Sequence, residues 1–489
     1  MRRFTLNYTL FISLLLLNAC KQPALKEDAT LLPVEKMRSD LSILWEAIKE
    51  MHPAYGIYTN ADSLGKVYDR VKGSLDTPLS ETDFITHIYP LICSLRCGHT
   101  QIHHSGNYQS PAKGAPSLPF EVLVKDHRVW VTNHQTVGFA TGDELLSVNA
   151  IPAATLVDHG YDLYAGDGFN ETFKELFLSE YDGFEDVFNK CYHWKPPYTV
   201  VLRTRNDSVK TILIDALPEG VKLSVSPGKM GNNWVEAKGT DYLPLRFLAN
   251  SSTAWFEVKS YQYNDTVIYK EAFRQIRERG IKDLIIDLRH NTGGDIRIAA
   301  KLLSYLADSA YRILGDIKSR LPDPSVNHFE SYFDTARTAS FIMGFSPGKK
   351  EGSYYHMDFK PVFGDMLGVL RLDGKRHYTG NLYVLIDGAT FSAGAHTAIA
   401  IQTQCKKAVL IGRETAGGVE GCSGGTIQHL TLPNTGIVVE FPWMRVVSVA
   451  KHPAFGHGVM PDYLVDYTAV DVVEKRDQDI AKALSLIRH

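Results

Sequence analysis

Three apolar runs in the C-terminal half of the chain limit its possible folds more than any other feature. They occupy residues 283–288, 382–386 and 408–412, and helical spacing follows the first two. Continuous apolar runs of strand length are typical of parallel strands that are buried on both faces. Because strands alternate with helices here, we predict an α/β domain over residues 240–475. Residues 316–378 lack this alternation and are rich in Phe, Tyr and Gly, which indicates an insertion that could cap a cleft.

The chain before this domain predicts two smaller domains. In residues 35–105 apolar side chains recur at three- and four-residue spacing, as on the buried face of a helix. The pattern includes Leu41, Leu44, Trp45 and Ile48. Residues 115–215 instead contain alternating apolar runs separated by turn residues, which predicts a small β domain. The expected architecture is therefore multi-domain α/β, with an N-terminal helical domain, a β domain and a larger α/β domain.

One segment of the predicted β domain is more specific. Residues 142–152 read GDELLSVNAIP. This run resembles the glycine–aspartate–strand–asparagine–glycine turn of PDZ domains, with Ala150 where a glycine is usual. The resemblance implies a PDZ-like domain, which captures peptide ends by adding them as a strand to a sheet edge. The alternative is an unrelated small β domain.

The N-terminus predicts export. Two arginines precede an apolar core at residues 10–17, much shorter than the ~20 residues that a membrane-spanning helix needs. We therefore expect a signal peptide over residues 1–19. The run LNAC that ends at Cys20 resembles the lipobox of bacterial lipoproteins, so Cys20 is the expected lipidation site and residues 20–34 the tether. An ordinary signal peptide is the alternative. The prediction is a lipoprotein anchored to a membrane of the bacterial cell envelope, facing the periplasm or the cell surface.

Charge and residue spacing argue against two classes of partner. Lys plus Arg total 52 and Asp plus Glu total 55, a net charge of −3. A nucleic-acid-binding surface normally leaves a basic excess, so we expect no nucleic acid partner. The residues that could form a metal site, Cys93, Cys97, His99 and His103, have no standard zinc spacing. We therefore expect no metal and no other cofactor.

Two turns between predicted strands and helices carry residues suited to catalysis. In residues 287–294, DLRHNTGG, adjacent glycines expose backbone N–H groups at a helix N-terminus, which can stabilise a negatively charged oxygen. A tight strand-to-helix turn explains these glycines equally well. At the second turn the small residues Ala393 and Gly394 follow Ser392 and leave room for a substrate, as a nucleophilic serine requires. The alternative for Ser392 is a helix N-cap.

A third motif, Gly98-His99-Thr100, follows the predicted helices. If a strand begins at His99, then His99, Gln101 and His103 share one face. The chain has 18 histidines. A structural role is therefore the alternative to a catalytic one.

Together these motifs resemble the C-terminal processing (tail-specific) peptidase family of serine peptidases, which includes the tricorn core. The resemblance covers roughly residues 35–470. The matching segments are Asp287-Leu288-Arg289-x-Asn291-x-Gly293-Gly294, Thr390-Phe391-Ser392-Ala393 and Gly456-x-Gly458-Val459-x-Pro461-Asp462. The resemblance implies a crotonase-like catalytic domain of stacked β-β-α units. It also implies that Ser392 is the nucleophile and that the N–H groups of Gly293 and Ala393 form the oxyanion hole.

Departures from the family pattern bear on the base. The processing branch uses a lysine downstream of the serine, and the aligned position here is Gly418. In the tricorn-like branch a histidine from the N-terminal region is the base, so the resemblance implies His99. That branch also uses a supporting acidic residue, for which Glu440 is the candidate. The glutamate that the family usually has shortly after the serine is Ala395 here.

The sequence therefore predicts a lipid-anchored serine peptidase that hydrolyses peptide bonds of exported proteins or peptides. An alternative from another class is a catalytically weak or inactive protein of the same fold that binds peptides or apolar ligands. A crotonase-type acyl-thioester enzyme is allowed by the fold alone, but export and the PDZ-like domain disfavour it. The expected partners are a peptide or protein substrate and, through the lipid, a membrane.

Overall fold

The computed structural model describes residues 31–109, 117–218, 221, 223 and 233–487. The expected signal peptide and Cys20 lie outside the described residues, as does most of the expected tether. Within the described ranges, each helix is too short or too polar to cross a membrane.

The described chain begins with three helices and a short strand. These elements are α1 (Val34–Met51), α2 (Ala61–Ser74), α3 (Glu81–Ser94) and β1 (Gln101–His103). The side chains of Asn60 and Ser80 accept hydrogen bonds from first-turn N–H groups and so cap α2 and α3. The buried faces of the helices belong to one continuous apolar core with the C-terminal half of the chain. The helical region is therefore fused to the larger domain and does not form a separate core.

The middle of the chain forms a module with its own apolar core. Its strands are β2 (Phe120–Lys125), β3 (Arg128–His134), β4 (Glu144–Val148), β5 (Ile151–Pro152), β6 (Tyr198–Arg203) and β7 (Val209–Ile214). Its helices are α4 (Ala153–Tyr161), α5 (Thr172–Glu180) and α6 (Gly183–Asp186), followed by a π-helical turn at Val187–Cys191. The sheet order is β2-β3-β4-β6-β7, and β5 pairs with β4. A small β domain thus stands where the sequence predicts one.

The C-terminal half contains the remaining elements. Its strands are β8 (Trp234–Glu236), β9 (Leu245–Leu248), β10 (Thr253–Glu257), β11 (Asp283–Asp287), β12 (Asp316–Ser319), β13 (Phe345–Glu351), β14 (Tyr354–Phe359), β15 (Asn381–Ile386), β16 (Ala408–Gly412), β17 (Gly421–Thr431), β18 (Val438–Val447) and β19 (Tyr463–Leu464). Its helices are α7 (Asp265–Glu278), α8 (Ile296–Leu306), α9 (Thr335–Gly344), α10 (Ala393–Gln404), α11 (Ala469–Val473) and α12 (Gln478–Ile487), with short 3₁₀ turns at Glu330–Tyr332 and Pro361–Phe363.

These strands form two sheets. The first has the order β19-β16-β15-β11-β10-β9-β8 and is parallel from β19 to β10. The three apolar runs of the sequence are the adjacent strands β11, β15 and β16, as their composition predicts. Because parallel strands end at the same edge, the turns after β11 and β15 lie side by side.

The second sheet brings distant parts of the chain together. Its order is β1-β18-β12-β14-β13, and β17 pairs with β18 as well. Strand β1 from the helical region pairs with one end of β18, and β12 pairs with the other end. Strands β12 to β14 belong to the predicted insertion, residues 316–378. The insertion is therefore an extension of this sheet.

Candidate active site

Ser392 lies in the turn between β15 and α10. Its backbone has φ 51° and ψ −123°, a conformation that costs a non-glycine residue of order 1–3 kcal/mol. The buried Thr390 hydroxyl donates to the Leu288 carbonyl oxygen at 2.9 Å. The N–H of Phe391 donates to the Asn291 carbonyl oxygen, also at 2.9 Å. These bonds tie the serine turn to the turn after β11 and so hold Ser392 in its unusual conformation.

His99 is next to this serine. Its Nε2 lies 3.0 Å from Ser392 Oγ, within hydrogen-bond reach. The imidazole packs against the ring of Phe391, with centroids 4.4 Å apart and planes inclined at 31°. On the β17 side, a Cβ placed on Gly424 would lie only 3.2 Å from His99 Nε2. The glycine thus leaves the space that the imidazole needs to reach the serine.

The charge state of His99 suits a base. Burial, together with a smaller contribution from the neighbouring His396, lowers the pKa of His99 to about 3. His396 also has its pKa lowered, to about 4, mainly by burial. The His99 imidazole is therefore neutral at neutral pH and able to accept a proton from the serine. That role places the ring proton on Nδ1, and this atom has no hydrogen-bond partner among the described residues.

The two backbone N–H groups of the expected oxyanion hole, those of Gly293 and Ala393, lie close together, but the Gly293 group already donates a hydrogen bond. Gly293 has φ +109°, and a Cβ added there would lie 2.7 Å from Ser392 Cβ and 3.0 Å from the Ala393 nitrogen. Ala393 is the first residue of α10, where N–H groups lack a partner within the helix. The N–H of Gly293 instead donates to Asn291 Oδ1 at 2.9 Å. An oxyanion hole with both donors requires this bond to yield or to be shared.

Glu440, the candidate support for His99, has other partners in the structure. The Glu440 carboxylate lies 3.1 Å from His103 Nε2 and 4.0 Å from His429 Nε2. In the register of β1 against β18, Glu440 stands directly opposite Gln101. The strand begins at Gln101, and His99 sits in a turn closed by the Thr100 N–H to the Cys97 carbonyl. Strand alternation therefore does not extend to His99, and its side chain does not share the face of His103.

A residue that sequence analysis missed is bonded to the backbone beside the base. Asp167, in the segment between α4 and α5, is 3% exposed, and its Oδ1 accepts the N–H of Gly98 at 2.8 Å. Burial raises the pKa of Asp167 to about 6, although the bond from the Gly98 N–H opposes this rise. Asp167 Oδ2 has no partner within the described part of the chain. A lone aspartate between two glycines carries no sequence signal of this role.

The cysteines and histidines considered as metal ligands do not converge. His99 faces Ser392, His103 faces Glu440, and Cys97 Sγ points to the Ser423 carbonyl oxygen. Among the described residues, one group has the spacing of a metal site: Asp316, Glu351 and His356. Lys318 Nζ already lies 3.1 Å from both carboxylates of this group. The lysine ammonium thus occupies the position that a cation would take.

The outer edge of β2, where the sequence predicts peptide capture, is partly covered. Three backbone N–H groups of this edge or its extensions donate to side chains of α5 and α6. The bonds join the Leu118 N–H to Glu185 Oε2 (2.6 Å), the Val124 N–H to Ser179 Oγ (2.9 Å) and the Asp126 N–H to Glu175 Oε1 (2.7 Å). Between the first two bonds, a groove of about 250 Å³ is lined by Phe120, Val122, Leu178 and Phe184. Any added strand has to displace some of these side chains.

Ser392 at a strand-to-helix turn, with the neutral imidazole of His99 within hydrogen-bond reach and the Ala393 N–H beside it, is an arrangement typical of serine hydrolases. Residues 252–465 match the profile of peptidase family S41, and this match supports a serine peptidase hydrolase. The C-terminal processing peptidases that the sequence motifs resemble are serine peptidases of the same family.

Individual proteins are similar to this chain as well. A protein of Chlamydia pneumoniae, known by a locus designation, is 28% identical over 289 residues, which cover 52% of this chain. The match covers 45% of that relative, so the chain spans less than half of its length. The structure of mature CPAF complexed with lactacystin has a TM-score of 0.62 at 17% identity and covers 93% of this chain and 98% of that one. Another structure of mature CPAF gives a TM-score of 0.58 at 17% identity over 92% and 96%. At this identity the likeness shows a shared fold along nearly the whole chain.

Proposed function

We propose that the protein is a lipid-anchored serine peptidase that hydrolyses peptide bonds of exported proteins or peptides, with Ser392 as nucleophile and His99 as base. The observation that best supports this proposal is the 3.0 Å separation of His99 Nε2 from Ser392 Oγ, with the imidazole held neutral by burial. The match of residues 252–465 to peptidase family S41 supports a peptide or protein as the substrate.

In the proposed reaction, His99 takes the hydroxyl proton of Ser392 while Oγ bonds to the peptide carbonyl carbon. The N–H of Ala393 donates to the resulting oxyanion, where the N-terminal end of the α10 dipole also favours negative charge. Gly293 supplies the second donor when its bond to Asn291 yields. His99 then gives its proton to the leaving amine, and the C–N bond breaks. Water, deprotonated by His99, hydrolyses the acyl-enzyme and restores Ser392.

The finer domain assignments are part of this proposal. The middle module is taken as PDZ-like and the catalytic module as crotonase-like. A substrate strand added beside β2 would make main-chain bonds to this edge and place its side chains in the adjoining groove. Because Glu185 and Ser179 already bond to this edge, we expect the double variant Glu185→Ala/Ser179→Ala to bind unstructured peptides more tightly than the wild type. Unchanged or weaker binding would make the module a spacer.

A serine-reactive fluorophosphonate probe tests the catalytic proposal. We expect rapid labelling of the wild-type protein and none of Ser392→Ala. Ser304→Ala is the matched control, because Ser304 is a buried helical serine of α8 whose hydroxyl donates to the Lys301 carbonyl. Labelling that survives Ser392→Ala, or that is lost equally in Ser304→Ala, contradicts the proposal.

The second candidate function is a catalytically weak or inactive ligand-binding protein of the same fold. Two observations favour it: His99 Nδ1 lacks an acidic partner among the described residues, and the Gly293 N–H is already bonded to Asn291. The probe separates the two functions, since a protein that only binds peptides would leave Ser392 unlabelled while retaining peptide affinity.

The lipid anchor is tested at Cys20, because a cysteine thiol is the acceptor of the diacylglyceryl group. Each buried CH₂ group of the acyl chains contributes about 0.8 kcal/mol to membrane binding, so two or three chains give stable anchoring. Cys20→Ser should move the protein to the soluble fraction or leave the precursor uncleaved. Normal processing and membrane retention of Cys20→Ser would contradict the lipoprotein assignment.

A further inference from the structure

An apolar cavity of about 180 Å³ opens directly beside the nucleophile, and Ser392 and Ala393 form part of its wall. Most of the other wall residues are large and apolar. They include Ile317, Phe345, Phe359, Phe363, Met444 and Val446. A cavity of ~150 Å³ with such a lining is large enough to hold a benzene ring. The cavity beside Ser392 therefore has room for one large apolar side chain.

The insertion builds much of this wall. Ile317 lies on β12, Phe345 on β13 and Phe359 on β14, and Phe363 ends the 3₁₀ turn that follows. Strand β12 is paired with β18, and Ile317 stands opposite Val446 in that register. Because these strands belong to the same sheet as β1, the wall is a fixed part of the structure.

The polar residues around the cavity offer no free charge to a ligand. Asp295 and Arg297 are paired with each other, with Arg297 Nε 2.9 and 3.0 Å from the two carboxylate oxygens. The Arg297 guanidinium also lies 4.9 Å from the centre of the Phe363 ring. Burial lowers the pKa of His396 and raises that of the Cys422 thiol, so both side chains are neutral at neutral pH. An ionised side chain would lose its hydration here without gaining a partner.

We propose that this cavity binds the side chain of the substrate residue whose carbonyl carbon Ser392 attacks, and that it selects large apolar side chains such as Phe, Leu and Met. The assignment rests on the proposed peptidase function. It follows from three features of the site: the cavity adjoins both the nucleophile and an oxyanion donor, its walls are apolar, and its volume fits one such side chain.

Peptidyl diphenyl phosphonates test the assignment without knowledge of the natural substrate. Four probes are compared that differ only in the side chain on the carbon bonded to phosphorus. These side chains are benzyl, isobutyl, methyl and carboxymethyl, which correspond to Phe, Leu, Ala and Asp. The measured quantity is the second-order rate constant for labelling of Ser392. We expect the benzyl and isobutyl probes to react at least ~10-fold faster than the methyl probe, since one to three kcal/mol separates such groups in an apolar pocket. The carboxymethyl probe should be the slowest. Equal rates, or a preference for the carboxymethyl probe, would overturn the assignment.

A variant pair localises the effect. Val446→Phe should fill the cavity and slow the benzyl probe by at least ~10-fold while leaving the methyl probe nearly unchanged. Val447→Phe is the matched control, because the next residue of β18 points to the opposite face of the strand. If Val446→Phe slows both probes equally while its melting temperature matches that of Val447→Phe, the cavity is not the subsite.

The failure of this assignment is distinguishable from the failure of the proposed function. Absence of any Ser392-dependent labelling by the small fluorophosphonate overturns the peptidase function and the subsite with it. Fluorophosphonate labelling without an apolar preference among the four phosphonates overturns the subsite alone.

Discussion

His99 Nε2 lies 3.0 Å from Ser392 Oγ although 293 positions separate the two residues in the chain. The approach depends on β1, which follows His99 almost at once and pairs with β18 of the second sheet. The helical region in front of β1 shares its apolar core with the C-terminal half. The docking of the N-terminal region on the C-terminal half therefore brings the proposed base to Ser392.

The first prediction concerns the catalytic pair. His99→Ala and Ser392→Ala should each lower kcat by roughly 10³-fold or more, because the serine hydroxyl needs the imidazole to take its proton. The double variant should be little worse than either single variant, since the two residues act as one unit. Steady-state hydrolysis of a peptide cleaved by the wild type is the measurement.

His377→Ala serves as the control for this pair, because the His377 Nε2 bonds to the Ala307 carbonyl and not to the serine turn. Nearly full activity in His99→Ala would show that another group is the base. Activity lost only on replacing Lys406 or Lys407 would identify a lysine instead.

The pH dependence of activity follows from burial of the base. A histidine with the ordinary pKa of ~6.5 would give a rate that rises through that pH. Because burial lowers the pKa of His99 to about 3, its neutral form persists well below pH 6. We expect no loss of kcat/KM attributable to His99 between pH 8 and about pH 5, measured at constant ionic strength. A fall in kcat/KM that is centred near pH 6.5 and follows the uptake of a single proton would contradict this.

The same burial predicts a stability effect of known sign. Below pH ~6.5 the unfolded chain protonates this histidine, whereas the folded protein does not until about pH 3. The contribution of His99 should therefore lower the unfolding free energy by about 1.4 kcal/mol for each unit by which the pH decreases between ~6.5 and about 3. In His99→Gln the unfolding free energy should depend less steeply on pH, by the contribution of one proton. Equal slopes in chemical denaturation of the two proteins would contradict the burial of a neutral imidazole.

Gly293 provides the fourth prediction. A Cβ at this position would lie 2.7 Å from Ser392 Cβ, and the φ of +109° is strained for any L residue. Gly293→Ala should therefore displace the serine turn and lower kcat by at least ~100-fold. Gly280→Ala is the control, because Gly280 also has positive φ (+62°) but no atom within 4 Å of an added Cβ. The control should lose about 1–2 kcal/mol of stability and keep its activity. Similar kinetics in both variants would show that Gly293 does not adjoin the reacting atoms.

Asp167 is predicted to position the base through the Gly98 backbone. Asp167→Ala should lower kcat by roughly 10-fold with little change in KM, whereas Asp167→Asn, which keeps an acceptor oxygen, should recover most of the loss. Burial raises the pKa of Asp167 to about 6, so its charge is unfavourable to folding above that pH. Asp167→Asn should therefore have at pH 7 a melting temperature equal to or above that of the wild type.

Asp143→Asn is the control for loss of a buried carboxylate, since Asp143 is paired with Lys210 in the middle module. Equal falls in kcat for Asp167→Asn and Asp167→Ala would show that the charge, and not the bond to Gly98, matters. No change of kcat in either variant would contradict a positioning role.

Much of the fold was predictable because it depends on local pattern. The apolar runs at residues 283–288, 382–386 and 408–412 become adjacent parallel strands, since only strands buried on both faces are so uniformly apolar. The turns after two of these strands lie side by side for the same reason, and that places Gly293 beside Ser392. The small β domain over residues 115–215 was predictable from alternation and turn residues.

Other features depend on contacts between segments far apart in the chain. The partner of Glu440 is set by the register of β1 on β18, which no local pattern specifies, and the turn at His99 interrupts the alternation on which the expectation rested. The sequence of the insertion does not reveal that β12 joins β18, or that three phenylalanines of the insertion line a cavity beside Ser392.

The sequence by itself determined which strands are central, and it singled out Ser392 and His99 as the proposed nucleophile and base. These properties follow from hydrophobic periodicity, turn chemistry and residue type, which are all local. Only the tertiary structure decided that His99 is partly buried and neutral, that Asp167 holds the backbone beside it and that the β2 edge is already bonded to α5 and α6. Those properties arise from desolvation and hydrogen-bond geometry, which exist only after distant segments have packed against one another.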